Sequence, residues 1–287
     1  MALNWQTFKQ RTISALVFMA VMLSGLVWNR WSFFLLFTII HFAAWREYQR
    51  LVPKIAKGSA DASSIQKFSF AVAGWCLLLY FTNQELQVFG VFISSIGWWL
   101  GLAMMFLLPL IAILHARPYP FINTGYLFFG LFYISLPLGL MINLRNYWTE
   151  EYSNLNLVIP LLVIFTLWLN DTLAYLTGSL VGKTRLSSIS PKKTWEGTIG
   201  GIVLSAGVMC FVAFYTQLLS VGHTAAIALL SSICGTFGDL FQSKLKRMAG
   251  VKDSGSMMPG HGGFLDRFDS LLFASVVVWF YVNVAMQ

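Results

Sequence analysis

Charge is scarce in this sequence. Only 10% of its 287 residues are Asp, Glu, Lys or Arg, and just 11 of those are carboxylates. A water-soluble domain of this size needs far more charge to cover its surface, and with 57% hydrophobic and 16% aromatic residues one aqueous core cannot hide the apolar surface. A membrane is therefore the expected solvent. Cysteine is nearly absent too: Cys76, Cys210 and Cys234 lie singly inside apolar runs, without the paired spacing of disulfides or of zinc ligands. Long polar segments are equally rare, which leaves few places for chemistry. The formal charge of +8 would suit nucleic acid, but the basic residues are scattered over short loops between apolar runs, so no nucleic-acid partner is expected.

What is present is a series of apolar runs. With about 20 residues per helical crossing, candidate spans fall at roughly 12–29, 31–45, 68–82, 88–114, 121–142, 155–182, 198–219, 224–241 and 270–286. The fold class expected is all-α, a polytopic membrane protein of about nine transmembrane helices. Lys9 and Arg11 precede the first run as in a signal peptide, but no small-x-small cleavage site follows, so the run reads as a retained span. With a cytoplasmic N-terminus and an external C-terminus, all 19 Lys and Arg except Arg30 and Arg145 fall on the cytoplasmic side, as the positive-inside rule demands. Three regions are expected: 1–67, a membrane hairpin with a cytoplasmic loop; 68–150, middle helices for packing or dimer contact; and 151–287, the catalytic membrane region. Between Arg46 and Lys67, basic residues mixed with Leu51, Val52, Ile55 and Ala56 suggest an interfacial helix on anionic headgroups, or equally a solvated connector.

Three constellations stand out. In the sixth run, Asp171, Tyr175, Gly178 and Gly182 recur at offsets 0, 4, 7 and 11, one stripe of a helix. A carboxylate there faces protein or a wet cavity, and the glycines permit close helix approach; Asp171 serves either as a packing polar group or in a site. The loop Ser187–Gly197, SSISPKKTWEG, carries Lys192 and Lys193 ahead of a helix start whose free amides favour phosphate. A lysine pair in a cytoplasmic loop also serves topology alone.

The third is the stretch 238–270, GDLFQSKLKRMAGVKDSGSMMPGHGGFLDRFDS, with four aspartates, five basic residues, one histidine and six glycines. If the eighth helix continues past the membrane surface, Asp239, Ser243 and Lys246 share a face, with Arg247 adjacent. Gly250 is a natural stop for that helix. Asp266 and Asp269 follow one turn apart at the start of the last span, where a helix N-terminus favours negative charge and also phosphate. Carboxylates beside Lys246, Arg247, Lys252 and Arg267 suit a divalent cation with a polyphosphate, since the metal takes oxygen ligands and the bases neutralise the remaining charge. His261 reads as a base, a phosphate contact or a turn-stabilising residue.

In order and spacing, Ser243, Lys246-Arg247, Lys252-Asp253, Gly255, Pro259, His261-Gly262-Gly263, Asp266-Arg267 and Asp269 resemble the signature of the phosphatidate cytidylyltransferases, also called CDP-diglyceride synthases. The aspartate stripe and the SPKKTWEG loop look like that family's upstream motifs. The likeness is specific over about 168–270; the first 150 residues resemble the family only in being membrane-spanning, and Met258 replaces a more usual branched or aromatic residue.

The resemblance implies transfer of CMP from CTP to phosphatidic acid, giving CDP-diacylglycerol and pyrophosphate for phospholipid biosynthesis. It also implies a homodimer in a bacterial-type inner (cytoplasmic) membrane with its site facing the cytoplasm. Asp239 and Asp266 would bind Mg²⁺, with room for a second cation, and Lys246 and Asp269 would complete the catalytic set. Ser243, Arg247, Lys252, Asp253, His261 and Arg267 would bind substrate, with Lys193, Asp171 and Glu196 closing the pocket. Two alternatives remain: a CTP-dependent transferase acting on another lipid phosphate or lipid alcohol, and an ion-coupled transporter whose Asp171 and Asp239 line a path. The transporter predicts midplane acids and an inverted repeat, whereas these acids collect beside bases and no such repeat is visible.

Overall fold

The computed structural model describes residues 5–55, 62–114, 120–146, 155–255 and 262–286. Ala56, Lys57, Arg117, Met258, Pro259 and His261 lie outside them. The described chain is an all-α, polytopic membrane protein: α1 (Trp5–Val27), α2 (Arg30–Ile55), α3 (Ser64–Tyr80), α4 (Ile93–Leu114), α5 (Pro120–Gly130), a π-helical turn (Leu131–Ser135), α6 (Leu136–Arg145), α7 (Leu155–Val181), α8 (Trp195–Thr216), α9 (Val221–Met248) and α10 (Leu265–Ala285). A two-stranded hairpin, β1 (Gln87–Val88) and β2 (Val91–Phe92), precedes α4.

Every expected apolar span overlaps one of these helices. Among the described residues six stretches are long and apolar enough to cross a membrane: 93–114, 124–145, 156–181, 195–216, 221–248 and 265–285. The differences lie at the ends. Residues 46–55, expected to belong to an interfacial helix or a solvated connector, continue α2 without a break, and Leu51 and Val52 are buried in protein. The helix runs on because nothing before Pro53, in its last turn, breaks it. α3 begins at a capping box in which the Ser63 hydroxyl accepts from the Gln66 amide while the Gln66 side chain accepts from the Ser63 amide.

The chain forms two compact units, residues 1–142 with 248–268, and 143–247 with 269–287. In the first, α2 is the central element. Trp45 and Tyr48 are fully buried, and their polar tips find partners, as buried Trp and Tyr require. Trp45 Nε1 donates to Ser135 Oγ at 2.8 Å in the π turn, and Tyr48 Oη donates to the Tyr126 carbonyl at 2.8 Å. The second unit is built on the long contact of α7 with α8.

Candidate active site

In the second unit, α7 and α8 approach as closely as backbones allow. A Cβ at Gly197 would lie 2.7 Å from the Ala174 carbonyl and 2.8 Å from Gly178 Cα, and one at Gly201 would lie 2.9 Å from both Ala174 N and the Asn170 carbonyl. Small residues at four-residue spacing on both helices make that crossing possible. The intervening loop is pinned at its base, where Leu186 N donates to the Lys193 carbonyl at 2.8 Å and Trp195 N to the Thr184 carbonyl at 2.9 Å. Thr194 then caps α8, its hydroxyl accepting from Gly197 N at 3.2 Å.

This packing brings the aspartate stripe and the lysine loop to one place. Asp171, Tyr175 and Gly178 from α7, Ser190, Lys192, Lys193 and Thr194 from the loop, and Thr236 from α9 line a cavity of about 340 Å³. Gly182, the last residue of the stripe, instead lies just past the end of α7, its amide bonded to the Gly178 carbonyl at 3.1 Å. Glu196 is occupied elsewhere, accepting from the backbone amides of Lys183 and Thr184 at 3.1 Å, so it closes the loop and does not line the cavity.

Asp239, on α9, is the next carboxylate. Lys193 Nζ lies 2.6 Å from its Oδ2, an ion pair by distance whose angles fall outside hydrogen-bond geometry. Next to it, Gly238 lets α9 press against the Asp269 carbonyl of α10, where any Cβ would collide. Asp269 is buried, its Oδ1 accepting from Ser270 N at 2.7 Å, and it feels the charges of Asp239, Lys246 and Asp171. Three carboxylates and two lysines thus form one electrostatic cluster in this unit. On α9, which runs as one helix through Lys246, Ser243 is half-buried and Arg247 exposed.

The first unit holds the rest of the polar stretch. Gly250, at φ +68°, follows the end of α9 and takes the left-handed conformation that stops a helix. Lys252, Asp253 and Arg267 are exposed. Asp266, in the first turn of α10, accepts through Oδ2 from Ser254 N at 2.8 Å and Gly263 N at 3.1 Å. Gly262 has φ +81°, and the Asp266 and Asp253 carboxylates both border it, so a side chain there would be strained and crowded. His261 lies outside the described residues.

Sequence reasoning missed Glu47, whose buried carboxylate accepts from Ser254 Oγ at 2.7 Å, Phe264 N at 2.9 Å and Leu265 N at 2.9 Å. A signal was there: Ile40, Ala44, Glu47 and Leu51 fall at offsets 0, 4, 7 and 11, which puts an acid on a core-facing stripe. Asn170 and Thr236 were also passed over.

Among the described residues no group of three or more His, Cys, Asp and Glu is arranged to hold a metal as the side chains stand. The donor chemistry nevertheless fits a hard cation, because Asp239 and its acidic neighbours offer only carboxylate oxygens and outnumber the lysines in their cluster.

A profile of the cytidylyltransferase family matches residues 9–285. The chain belongs to that family. It is 34% identical over 295 residues to "Phosphatidate cytidylyltransferase" of Synechocystis sp., an alignment that covers 95% of this chain and 96% of that protein. It is 36% identical over 183 residues to the Bacillus subtilis protein of the same name, covering 63% of this chain and 66% of the other. With the Thermotoga maritima protein of that name it shares 41% identity over 149 residues, 48% of this chain and 54% of the other. The family profile reaches back through α2, so Glu47 belongs to the matched part.

Proposed function

We propose that this enzyme transfers CMP from CTP to phosphatidic acid, releasing pyrophosphate and leaving CDP-diacylglycerol in the membrane. Family membership over nearly the whole chain, with a carboxylate and lysine cluster beside a cavity, is the observation that carries the reading. In the reaction a phosphate oxygen of the lipid forms a bond to the α-phosphorus of CTP. The bond from that phosphorus to the oxygen bridging to the β-phosphate breaks, and pyrophosphate leaves with the electron pair. No protein nucleophile is required, because the lipid phosphate is itself anionic near neutral pH.

Catalysis then rests on bringing two polyanions together and neutralising charge. Lys193 and Lys192, at the cavity wall, are suited to phosphate oxygens, with Lys246 on the Asp269 side of the cluster. Arg247, Lys252 and Arg267 are further cations for the triphosphate or the lipid phosphate, and Ser243 and Asp253 belong to the same substrate set. Mg²⁺ is the implied cofactor; when bound it would neutralise phosphate charge and polarise the phosphorus under attack. Asp239 and Asp266 are its proposed ligands, as the resemblance to the family implies, with Asp269 supporting them and space for a second cation. Lys193, paired with Asp239 at the cavity wall, is also placed to meet a phosphate oxygen.

The finer topology belongs to the same reading: nine crossings, N-terminus in the cytoplasm, C-terminus outside, and a homodimer in the cytoplasmic membrane with its site facing the cytosol. CTP is cytosolic and the lipid phosphate lies at headgroup depth, so the site belongs at that interface. The deciding experiment offers purified protein labelled CTP with phosphatidic acid, other lipid phosphates and lipid alcohols, with and without Mg²⁺. Label transfer to phosphatidic acid that requires Mg²⁺ is expected; transfer only to another acceptor would replace the proposed substrate.

A further inference from the structure

Glu47 belongs to none of the motifs above, and it lies more than 200 residues before the loop it touches. A buried carboxylate is costly unless its oxygens are satisfied. Glu47 is only 3% exposed, and both oxygens are used: Oε1 accepts from Phe264 N, and Oε2 from Leu265 N and Ser254 Oγ. Phe264 and Leu265 carry amides at the start of α10, which have no partner within the helix. The positive end of that helix favours the negative charge. A helix-capping group is thus delivered by α2, and the same group holds Ser254.

Two glycines of the signature acquire a reason. Neither Gly255 nor Gly263 is among the glycines at positive φ, so conformational freedom does not explain them. Their constraint is space: a Cβ at either would collide with the Glu47 carboxylate. A second carboxylate, Asp266, ties Ser254 N and Gly263 N together through its Oδ2. Glu47 and Asp266 together fix both ends of the glycine-rich segment between Ser254 and Gly263.

We propose that Glu47 is a positioning residue for the CMP-transfer reaction, setting the start of α10 and hence the direction of Asp266 and Arg267. The inference rests on the reading of residues 252–269 as part of the active site. Groups that orient catalytic side chains typically cost 10 to 100-fold in activity when removed, with little change in how substrate first binds.

The test is CMP transfer from labelled CTP to phosphatidic acid by detergent-purified protein, measured as kcat and as KM for each substrate. Glu47→Gln keeps the size but turns an amide toward three donors, and kcat is expected to fall by about 10 to 100-fold with both KM values within about threefold. Gly255→Ala should also lower kcat, because the three atoms nearest its added methyl group all belong to Glu47. Shortening the carboxylate then relieves the clash, so Gly255→Ala with Glu47→Asp should be more active than Gly255→Ala by itself. A Glu47→Gln enzyme with wild-type kcat would overturn the proposal, as would losses from Glu47→Asp and Gly255→Ala that simply multiply. Where Glu47→Gln does not fold, the Gly255 pair decides. Wild-type protein that transfers no CMP to phosphatidic acid would overturn the underlying functional reading, a result seen before any variant is made.

Discussion

Gly197 and Gly207 lie on the same helix, and the same substitution should act on them with opposite sign. At Gly197 an added Cβ would be 2.7 Å from the Ala174 carbonyl, 2.8 Å from Gly178 Cα and 2.9 Å from Thr194 Oγ1. Ordinary carbon contacts need about 3.5 Å, and two of these partners are backbone atoms that no rotamer change can move. The helices must part by several tenths of an ångström, at a cost of about 1–3 kcal/mol. Because Lys193 and Thr194 lead into α8 while Asp171 and Tyr175 stand on α7, parting also opens the cavity, and CMP transfer should drop by about 10-fold or more. At Gly207 nothing lies within 4 Å of the new Cβ, so Ala there should stabilise the helix by about 0.5–1 kcal/mol and leave activity unchanged. Thermal unfolding in detergent and kcat/KM for CTP check both variants. Equal unfolding midpoints and equal activities for the two would refute the argument that backbone crossing at Gly197 shapes the site.

Asp239→Asn should reduce CMP transfer by at least about 100-fold while changing stability by about 1 kcal/mol or less, since the Lys193 ion pair it breaks is partly solvated; near-normal turnover would sink the proposed metal role. Lys193→Met should raise KM for CTP about 10-fold, measured at saturating lipid, because a phosphate-binding cation is removed from the cavity wall. Thr194→Ala removes the hydroxyl that caps α8 and should cost about 1 kcal/mol in detergent unfolding. Chelation of divalent ions should abolish turnover, and added Mg²⁺ should restore it without refolding, as followed by circular dichroism.

The helices were legible because membrane spans are written in composition: a run of about 20 apolar residues has few other uses. Ends were less so. α2 was expected to stop near Trp45, where the apolar run gives way to Arg46 and Glu47, yet the helix continues to Ile55 because hydrogen bonding does not require apolar side chains. The glycine stripe on α7 was legible from spacing, and the contact of Gly178 with Gly197 follows from the same four-residue rhythm on α8, where Gly201 meets Ala174 instead. Where Glu196 would turn could not be read from its place beside the lysine pair, because the amides of Lys183 and Thr184 compete for it only once the loop has folded back.

Scarcity itself carries the argument for Glu47 further. With 11 carboxylates in 287 residues, an acid placed inside a membrane protein is expensive enough that each buried one must meet donors or cations. Asp269 meets the Ser270 amide beside the Lys246 charge, and even the half-buried Asp239 meets Lys193. Glu47 is the buried acid whose donors lie farthest away in sequence, and those donors are the two ends of the glycine-rich segment. A carboxylate on a core-facing helical stripe in such a chain therefore predicts a distant, donor-rich partner. Here the partner is the start of α10, which carries the acidic signature itself.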